Sequence, residues 1–287
     1  MPRKSKAQRS SLSVNPSLAA SKPARRRSEV SPETLAALET GKLATRNLVE
    51  WLAMDQLRLF THLLDDLKLE TTPELEQELE SLRSVGVMQK SWGLGSLLAR
   101  FITRHPRHPV ILEELTTHPS DAVRIWTMTA IQSPTKLTLS QRLTAIRPFA
   151  ADEHFGVREC AWMVVRPALV NDLPKSIHRL LPWAKHQDAN LRRFAIESIR
   201  PCGVWCAHAP VLKAEPELAL PILEQLRSDE ARYVQLSVAN WLNDSSKSQP
   251  EFVTSLCHRW LKESPTKETQ WITHHAQRTL RKQGVGS

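Results

Sequence analysis

The segments SDAVRIWTMTAI at residues 120–131, HFGVRECAWMVV at 154–165 and DANLRRFAIESI at 188–199 repeat one short template. Two later segments, EARYVQLSVANW at 230–241 and the stretch around WITHHAQRTL at 271–280, follow the same template more loosely. The first apolar position of the template recurs at intervals of 34, 34, 43 and 38 residues, at Val123, Val157, Leu191, Val234 and Ile272. We call these five residues the anchors. Intervals of this length are typical of two-helix units that stack into a solenoid.

The residue four positions after each anchor is small or medium-sized: Thr127, Ala161, Ala195, Val238 and Ala276. A step of four returns to the same face of an α-helix, and a small side chain there lets the next helix approach closely. The 8 glycines and single tyrosine argue against a turn-rich β architecture. We therefore predict an all-α fold, an α-solenoid superhelix of HEAT-like helical hairpin repeats.

Helix starts and stops can be placed from local residue types. Ser31-Pro32-Glu33 and Thr72-Pro73-Glu74 each combine a capping side chain, a proline suited to the first turn and an acid at the positive helix end. Prolines then predict interruptions at short intervals, at positions 106, 109, 119, 134, 148, 174, 182, 201, 210 and 250. Because no glycine-rich linker divides the chain, we predict one continuous domain over 31–287.

Residues 1–30 differ from the rest in composition. They hold eight Lys and Arg against the single acid Glu29, so they supply +7 of the net charge of +9 and leave only +2 for the body. With few large apolar residues, this segment is predicted to be a disordered basic tail. Residues 25–27, all arginine, are suited to binding phosphate, and a solubilising extension or an organelle transit peptide also fits the composition.

Several classes of protein are excluded or disfavoured by what the chain lacks. No apolar run reaches the length of a membrane span, and the N-terminus has no apolar signal core, so we expect a cytoplasmic protein. Walker, GxGxxG, GxSxG and HExxH motifs are absent. Cys202, Cys206 and His208 lack a fourth ligand at zinc-finger spacing, so we expect no metal and no cofactor.

Arginines follow the first three anchors, whereas Gln235 and Thr273 follow the last two. Equivalent positions in stacked repeats project along one side, so these arginines should form a ladder. The ladder either braces carboxylates between repeats or binds phosphates. If the ladder binds phosphates, the cations must lie in one groove, because the body is nearly neutral. We predict that this groove contains Arg124, Arg158, Arg192, Arg193, Arg200 and Lys247.

Aromatic residues cluster near the same helices. The chain has nine tryptophans, and most should pack in the core. Trp126, Phe155, Trp162, Trp205 and Trp241 nevertheless lie in or beside the repeated helices that carry the arginines. A groove that is both basic and aromatic would suit DNA sugars and bases, so these aromatics are candidates for DNA contact as well as for the core.

The segments 232–260 (RYVQLSVANWLNDSSKSQPEFVTSLCHRW), 271–282 (WITHHAQRTLRK) and 192–205 (RRFAIESIRPCGVW) resemble the C-terminal repeats of the AlkC/AlkD alkylpurine DNA glycosylases. The resemblance covers roughly residues 120–282 as a run of repeat signatures. It implies a concave basic solenoid that grips duplex DNA containing alkylated purines and excises N3- or N7-alkylated bases without swinging them into a pocket. It also implies a cytoplasmic, nucleoid-associated monomer that acts in base excision repair.

The resemblance further implies a catalytic site. The AlkD branch places an aromatic residue four positions before its catalytic aspartate, and Phe155 and Glu159 have that spacing, with Trp162 on the same helix face. The position of that branch's later cleft tryptophan is occupied by Asn240, with Trp241 one step along. Glu197 is a second acid beside the arginines. A catalytically inactive repeat module that binds DNA structures or a protein partner remains the alternative to a glycosylase.

Overall fold

In the computed structural model, the described residues are 18, 20–134, 136–203 and 205–284. Within these ranges the regular elements are helices and no strand occurs, which confirms the predicted all-α fold. The seventeen α-helices of the described residues are α1 (Pro32–Glu39), α2 (Leu48–Ala53), α3 (Gln56–Asp66), α4 (Pro73–Ser81), α5 (Val87–Arg104), α6 (His108–Thr116), α7 (Asp121–Gln132), α8 (Leu139–Ala150), α9 (Phe155–Val170), α10 (Leu173–Ala184), α11 (Ala189–Glu197), α12 (Pro210–Ala214), α13 (Leu220–Leu226), α14 (Arg232–Ser245), α15 (Pro250–Glu263), α16 (Lys267–Ala276) and α17 (Arg278–Lys282). None of these helices has both the length and the apolar character needed to cross a membrane.

The chain divides into two compact units, Met1–Ala130 and Ile131–Ser287, whereas the sequence predicts one domain from residue 31 onward. The first unit has a core of leucines in which the rings of Phe60 and Trp126 meet edge to face, with centroids 5.5 Å apart. Two of its helices begin as predicted, since the side chains of Ser31 and Thr72 accept backbone hydrogen bonds at the starts of α1 and α4.

Most of the predicted disordered tail, residues 1–17 and 19, lies outside the described residues. Its described part contacts the first unit. Arg46 donates through Nη1 to the carbonyl oxygens of Leu18 at 2.8 Å and Ser21 at 2.6 Å, and Asn47 Nδ2 donates to the carbonyl of Ala24 at 2.8 Å. Residues 18, 21 and 24 of the predicted tail are therefore hydrogen-bonded to the first unit.

The second unit is built from helical hairpins. Helix α9 packs against α8, α11 against α10, α14 against α13 and α16 against α15, and the second helices of successive hairpins also pack on one another. The anchors Val157, Leu191 and Val234 each occupy the third residue of their helix, as Val123 does in α7 of the first unit. Each is at most 2% exposed, and the residues four positions later are fully buried. The predicted repeat register is confirmed for these four anchors, whereas the fifth, Ile272, is buried but is the sixth residue of α16.

Two of the expected proline interruptions are wrong. Pro148 lies inside α8 and Pro182 inside α10, each two residues before the helix ends. A proline removes one backbone donor and crowds the carbonyl four residues earlier. Both helices tolerate it because the proline lies in their last turn. Pro109, Pro174, Pro210 and Pro250 instead stand at helix starts, where proline is well tolerated.

Candidate functional site

The residue after each of four anchors binds the turn that precedes its own helix. Arg158 Nη1 donates to the carbonyl oxygens of Asp152 at 2.7 Å and Glu153 at 2.8 Å, which lie six and five residues earlier. The same pair of bonds, at the same two offsets, is formed by Arg124, Arg192 and Gln235. These side chains therefore brace the turns of the repeats, as one of the two alternatives for the ladder predicts.

A second hydrogen bond completes each turn. In each repeat, the side chain six residues before this arginine or glutamine accepts a hydrogen bond from the backbone N–H two residues after itself. The accepting residues are His118, Asp152, His186 and Asp229. Burial, followed by the charge of Arg124, lowers the pKa of His118 to about 4. Its ring is therefore neutral, which leaves Nδ1 able to accept. The repeat signature is thus seven residues long: HPSDAVR at 118–124, DEHFGVR at 152–158, HQDANLR at 186–192 and DEARYVQ at 229–235.

Glu159 lies two residues after the anchor of α9, and both of its carboxylate oxygens are held. Oε1 is 2.6 Å from Nη2 of Arg193, and Oε2 accepts a hydrogen bond of 2.9 Å from Nε1 of Trp162. The side chain of Glu159 is 33% exposed, whereas that of Arg193 is 10% exposed. The arrangement presents an oriented anionic group to solvent.

Tyr233, the only tyrosine of the chain, completes this group. The guanidinium carbon of Arg193 lies 4.3 Å from the centroid of its ring, and that of Arg158 lies 5.2 Å from it. Its hydroxyl is 3.5 Å from Oε1 of Glu159. Sequence reasoning missed Tyr233 as a site residue, although it directly precedes an anchor, where the two preceding repeats carry Gly156 and Asn190.

A chain of ion pairs leads away from this site. Arg193 is 3.7 Å from Glu197, Glu197 is 2.9 Å from Arg200, and Arg200 is 2.6 Å from Asp244. Asp244 also pairs with Lys247 at 3.0 Å, and Lys247 is 51% exposed. Burial lowers the pKa of Arg200, but the carboxylates of Glu197 and Asp244 outweigh it and raise that pKa overall. Glu197 is 3% exposed, so it balances charge inside the unit and is not presented at its surface.

The candidate aromatics fall into two groups. Phe155 is 43% exposed at the start of α9, with its ring centroid 4.7 Å from that of His154, and Trp205 is 64% exposed between α11 and α12. Trp162 is buried, and its indole N–H donates a hydrogen bond to Glu159. Trp126 and Trp241 are fully buried, which removes them from a DNA-contacting surface and assigns them to the cores of their units.

Arg166, which is 2% exposed, forms hydrogen bonds with the backbone on both sides of Trp205. Its guanidinium donates to the carbonyl oxygens of Ser198 at 2.9 Å, Ala207 at 3.2 Å and Arg200. Burial raises the pKa of the Cys206 thiol, beside Trp205 in the chain. Among the described residues, no three His, Cys, Asp or Glu side chains are grouped as a metal ion would require.

Asn240 is half-buried on α14 and accepts a hydrogen bond of 2.8 Å from Nη2 of Arg278. The second unit thus brings together Glu159, Trp162, Arg158 and Arg193 from the predicted site. Arg124 and Trp126 lie in the first unit.

Comparisons with known proteins agree with the repeat signatures. Residues 157–280 match the model of a family described as DNA alkylation repair enzymes. Over 132 residues the chain is 42% identical to the uncharacterized protein YhaZ of Bacillus subtilis (strain 168), an alignment that covers 46% of this chain and 36% of that protein. The chain therefore spans little more than a third of the curated relative.

Two solved structures share the fold. The alkylpurine DNA glycosylase AlkC of Pseudomonas fluorescens, bound to DNA containing an abasic site analog, gives a TM-score of 0.62 at 28% identity and covers 74% of this chain and 57% of its own. AlkD2 of Streptococcus mutans gives a TM-score of 0.50 at 21% identity, over 76% of this chain and 96% of its own, which is a likeness of fold alone. Residues 157–280, which carry Glu159, Arg193 and Tyr233, are therefore similar to DNA alkylation repair enzymes, and the chain shares its fold with a DNA-bound alkylpurine DNA glycosylase.

Proposed function

We propose that this chain is a DNA glycosylase that excises N3- or N7-alkylated purines from duplex DNA by hydrolysing the N-glycosidic bond, with Glu159 as its catalytic carboxylate. The observation that carries the proposal is the oriented, 33% exposed carboxylate of Glu159 on the same helix as exposed Phe155. The likeness to a DNA-bound alkylpurine DNA glycosylase at 28% identity supports the same reaction. A cytoplasmic, nucleoid-associated, monomeric enzyme would suit that role.

The chemistry requires little from the protein. An alkylated purine carries a positive charge, so it leaves as a neutral base when the bond from C1′ to its nitrogen breaks, and it needs no added proton. The sugar then develops oxocarbenium character, which a nearby carboxylate stabilises. Water forms the new bond to C1′ and gives up one proton, for which the Glu159 carboxylate is the acceptor. The products are the free purine and an abasic site.

The neighbours of Glu159 would fix its geometry. Trp162 and Arg193 hold one carboxylate oxygen each, so the group needs little reorganisation as charge develops on the sugar. The exposed faces of Phe155 and Trp205 would contact the cationic lesion and the bases beside it. In this proposal the braced arginines Arg124, Arg158 and Arg192 chiefly shape the surface, and exposed Lys247 is suited to a phosphate contact.

A second function is favoured by one contact. The 2.6 Å ion pair with Arg193 already compensates the charge of Glu159. If this pair serves only to join neighbouring repeats, the chain is a binding module that recognises DNA without cleaving it. The two functions differ in base release and agree in DNA affinity, so binding alone does not separate them.

The test is single-turnover release of 7-methylguanine and 3-methyladenine from one methylated duplex, with protein in excess. Glu159→Gln should keep its fold and DNA affinity but release base at least about 10²-fold more slowly, the range for loss of a preorganised transition-state contact. Glu153→Gln removes an exposed carboxylate from the turn before the same helix and should release base at the wild-type rate. Full activity of Glu159→Gln would refute the assignment, and no release by the wild type would favour the binding module.

A further inference from the structure

The last repeat carries cationic side chains grouped around one tryptophan. The guanidinium of Arg232, at the start of α14, lies 3.9 Å from the centroid of the Trp271 ring. The ring of His275, one turn after Trp271 on α16, stacks on the same indole with centroids 4.5 Å apart and planes inclined by 15°. Stacking against a rigid indole holds both side chains in place while leaving their N–H groups able to donate.

Arg278 and Arg281 follow His275 along the chain and lie three residues apart on α17, on the same side of that helix. Burial comes first among the causes that lower the pKa of His275, followed by charge interactions with Arg278, His274, Arg281 and Arg232. Arg278 is fixed by two hydrogen bonds, from Nη1 to the carbonyl of His275 at 2.9 Å and from Nη2 to Asn240. We call Arg232, Trp271, His274, His275, Arg278 and Arg281 the C-terminal cationic patch.

The patch is not matched by acids. Within the described part of the chain, Arg232, Arg278 and Arg281 form no ion pair with a carboxylate. Asp244 raises the pKa of Arg278 against the effect of burial, but its oxygens are already bonded to Arg200 and Lys247. In contrast, Arg192, Arg193 and Arg200 each pair with an acid inside the unit. Arg232, Arg278 and Arg281 therefore form a local group of cations with which no described carboxylate pairs.

Helix α14 connects the patch with Glu159. Tyr233, whose hydroxyl is 3.5 Å from Glu159, and Asn240, which binds Arg278, are seven residues apart and so lie on the same face of that helix. Seven residues correspond to about 10 Å along the helix axis. This rise, about three base-pair steps along one DNA strand, separates Asn240 and its partner Arg278 from Tyr233, whereas Arg232 directly precedes Tyr233. A duplex whose lesion lies at Glu159 would bring backbone phosphates to the patch.

We propose that the C-terminal cationic patch is a phosphate-binding site for the backbone of duplex DNA, with Arg232 and Arg281 as its main donors and His275 between them. The proposal rests on DNA being the partner in the proposed function, and it does not depend on catalysis. The fixed, planar guanidinium of Arg232 can donate two parallel hydrogen bonds to one phosphate with little further loss of side-chain entropy.

The test measures binding of an unmodified, fluorescein-labelled duplex by anisotropy at a series of salt concentrations. Arg232→Gln/Arg281→Gln removes two charges from the patch. The matched control Lys175→Gln/Arg179→Gln removes two charges from exposed positions of α10, where no ion pair is formed among the described residues. The patch variant should bind about 10-fold more weakly or worse at moderate salt, and its slope of log affinity against log salt should fall by about 2. The control should bind within about 2-fold of the wild type.

Circular dichroism melts of both variants separate lost contacts from lost folding. Wild-type affinity and slope in a folded patch variant would overturn the proposal, as would equal losses in patch variant and control. The proposal would also be overturned if the protein bound duplex RNA of the same sequence more tightly than duplex DNA through this patch. Base release plays no part in this measurement. A wild type that binds DNA and releases no base would leave the patch established and refute only the proposed glycosylase.

Discussion

Arg192→Ala is expected to destabilise the second unit strongly while leaving the salt dependence of DNA binding unchanged. Arg192 joins two repeats: Nη1 donates to the turn before α11, and Nε and Nη2 donate to Asp229 at 2.6 and 2.9 Å. Asp229 in turn accepts from the backbone N–H of Ala231 at the start of α14. The hydrogen bonds that Arg192 donates to Asp229 raise the pKa of Arg192, which agrees with a charge engaged inside the protein.

The magnitude follows from what the substitution leaves behind. The side chain of Asp229 is 4% exposed and that of Arg192 is 12% exposed, so alanine would leave a buried carboxylate with one backbone donor. Removing one partner of a buried pair costs about 3–5 kcal/mol, and the remaining N–H places this case near the lower end, about 3 kcal/mol. The lost bonds to the turn add less than about 1 kcal/mol, because those carbonyls can be hydrated.

The assay is urea denaturation followed by circular dichroism, with Arg192→Gln/Asp229→Asn as the matched variant. Glutamine should keep the bonds to the turn, as Gln235 does in the next repeat, and asparagine removes the unpaired charge, so this variant should lose only about 1–2 kcal/mol. If Arg192→Ala instead costs under about 1 kcal/mol and lowers the DNA salt slope by about 1, Arg192 is a phosphate ligand and the bracing interpretation fails.

Three other substitutions test neighbouring parts of the site. Trp205→Ala should leave the urea midpoint unchanged, because the side chain is 64% exposed, and should weaken DNA binding by about 1–3 kcal/mol if it stacks on a base, measured by anisotropy. Arg166→Met should lower stability by about 2–4 kcal/mol in the same denaturation assay, because three carbonyl groups, one in a buried and two in part-buried hydrogen bonds, lose their donor. His275→Gln tests pH dependence: burial and four cations lower the pKa of His275 in the unbound protein, and a phosphate would raise it again, so binding takes up a proton. Duplex affinity of the wild type should therefore rise as pH falls below about 7, and His275→Gln should lose this dependence.

The position of a tryptophan relative to its anchor predicts its burial better than composition alone. Each residue turns a helix by about 100°, so Trp126, three residues after its anchor, and Trp241, seven after, return to within about 60° of the anchor's buried face. Both are fully buried. Glu159, two residues after its anchor, falls about 160° away from it, on the side that reaches solvent. The anchors thus predict the burial of Trp126 and Trp241, whereas Trp162, about 140° from its anchor, is buried through its contact with Glu159.

Partners across repeats were harder to predict, because a helical period describes one helix and not the registration of two. Glu159 and Arg193 are 34 residues apart, the same interval as their anchors, so they occupy equivalent positions in adjacent hairpins and form a 2.6 Å pair. The turn braces depend on backbone carbonyls, which carry no residue-type signal at all. For that reason the sequence left bracing and phosphate binding as equal alternatives for the arginine ladder.

The same rule of equivalent positions explains where positive charge remains available. Asn240 and Arg278 are 38 residues apart, again the interval of their anchors, and they contact each other at 2.8 Å. Here the residue opposite the arginine is an amide, which accepts a hydrogen bond without cancelling the charge, whereas Arg193 faces the carboxylate of Glu159. A body with a net charge of only +2 can therefore present a local group of cations, because acids pair with Arg192, Arg193 and Arg200, whereas Arg232, Arg278 and Arg281 form no ion pair among the described residues.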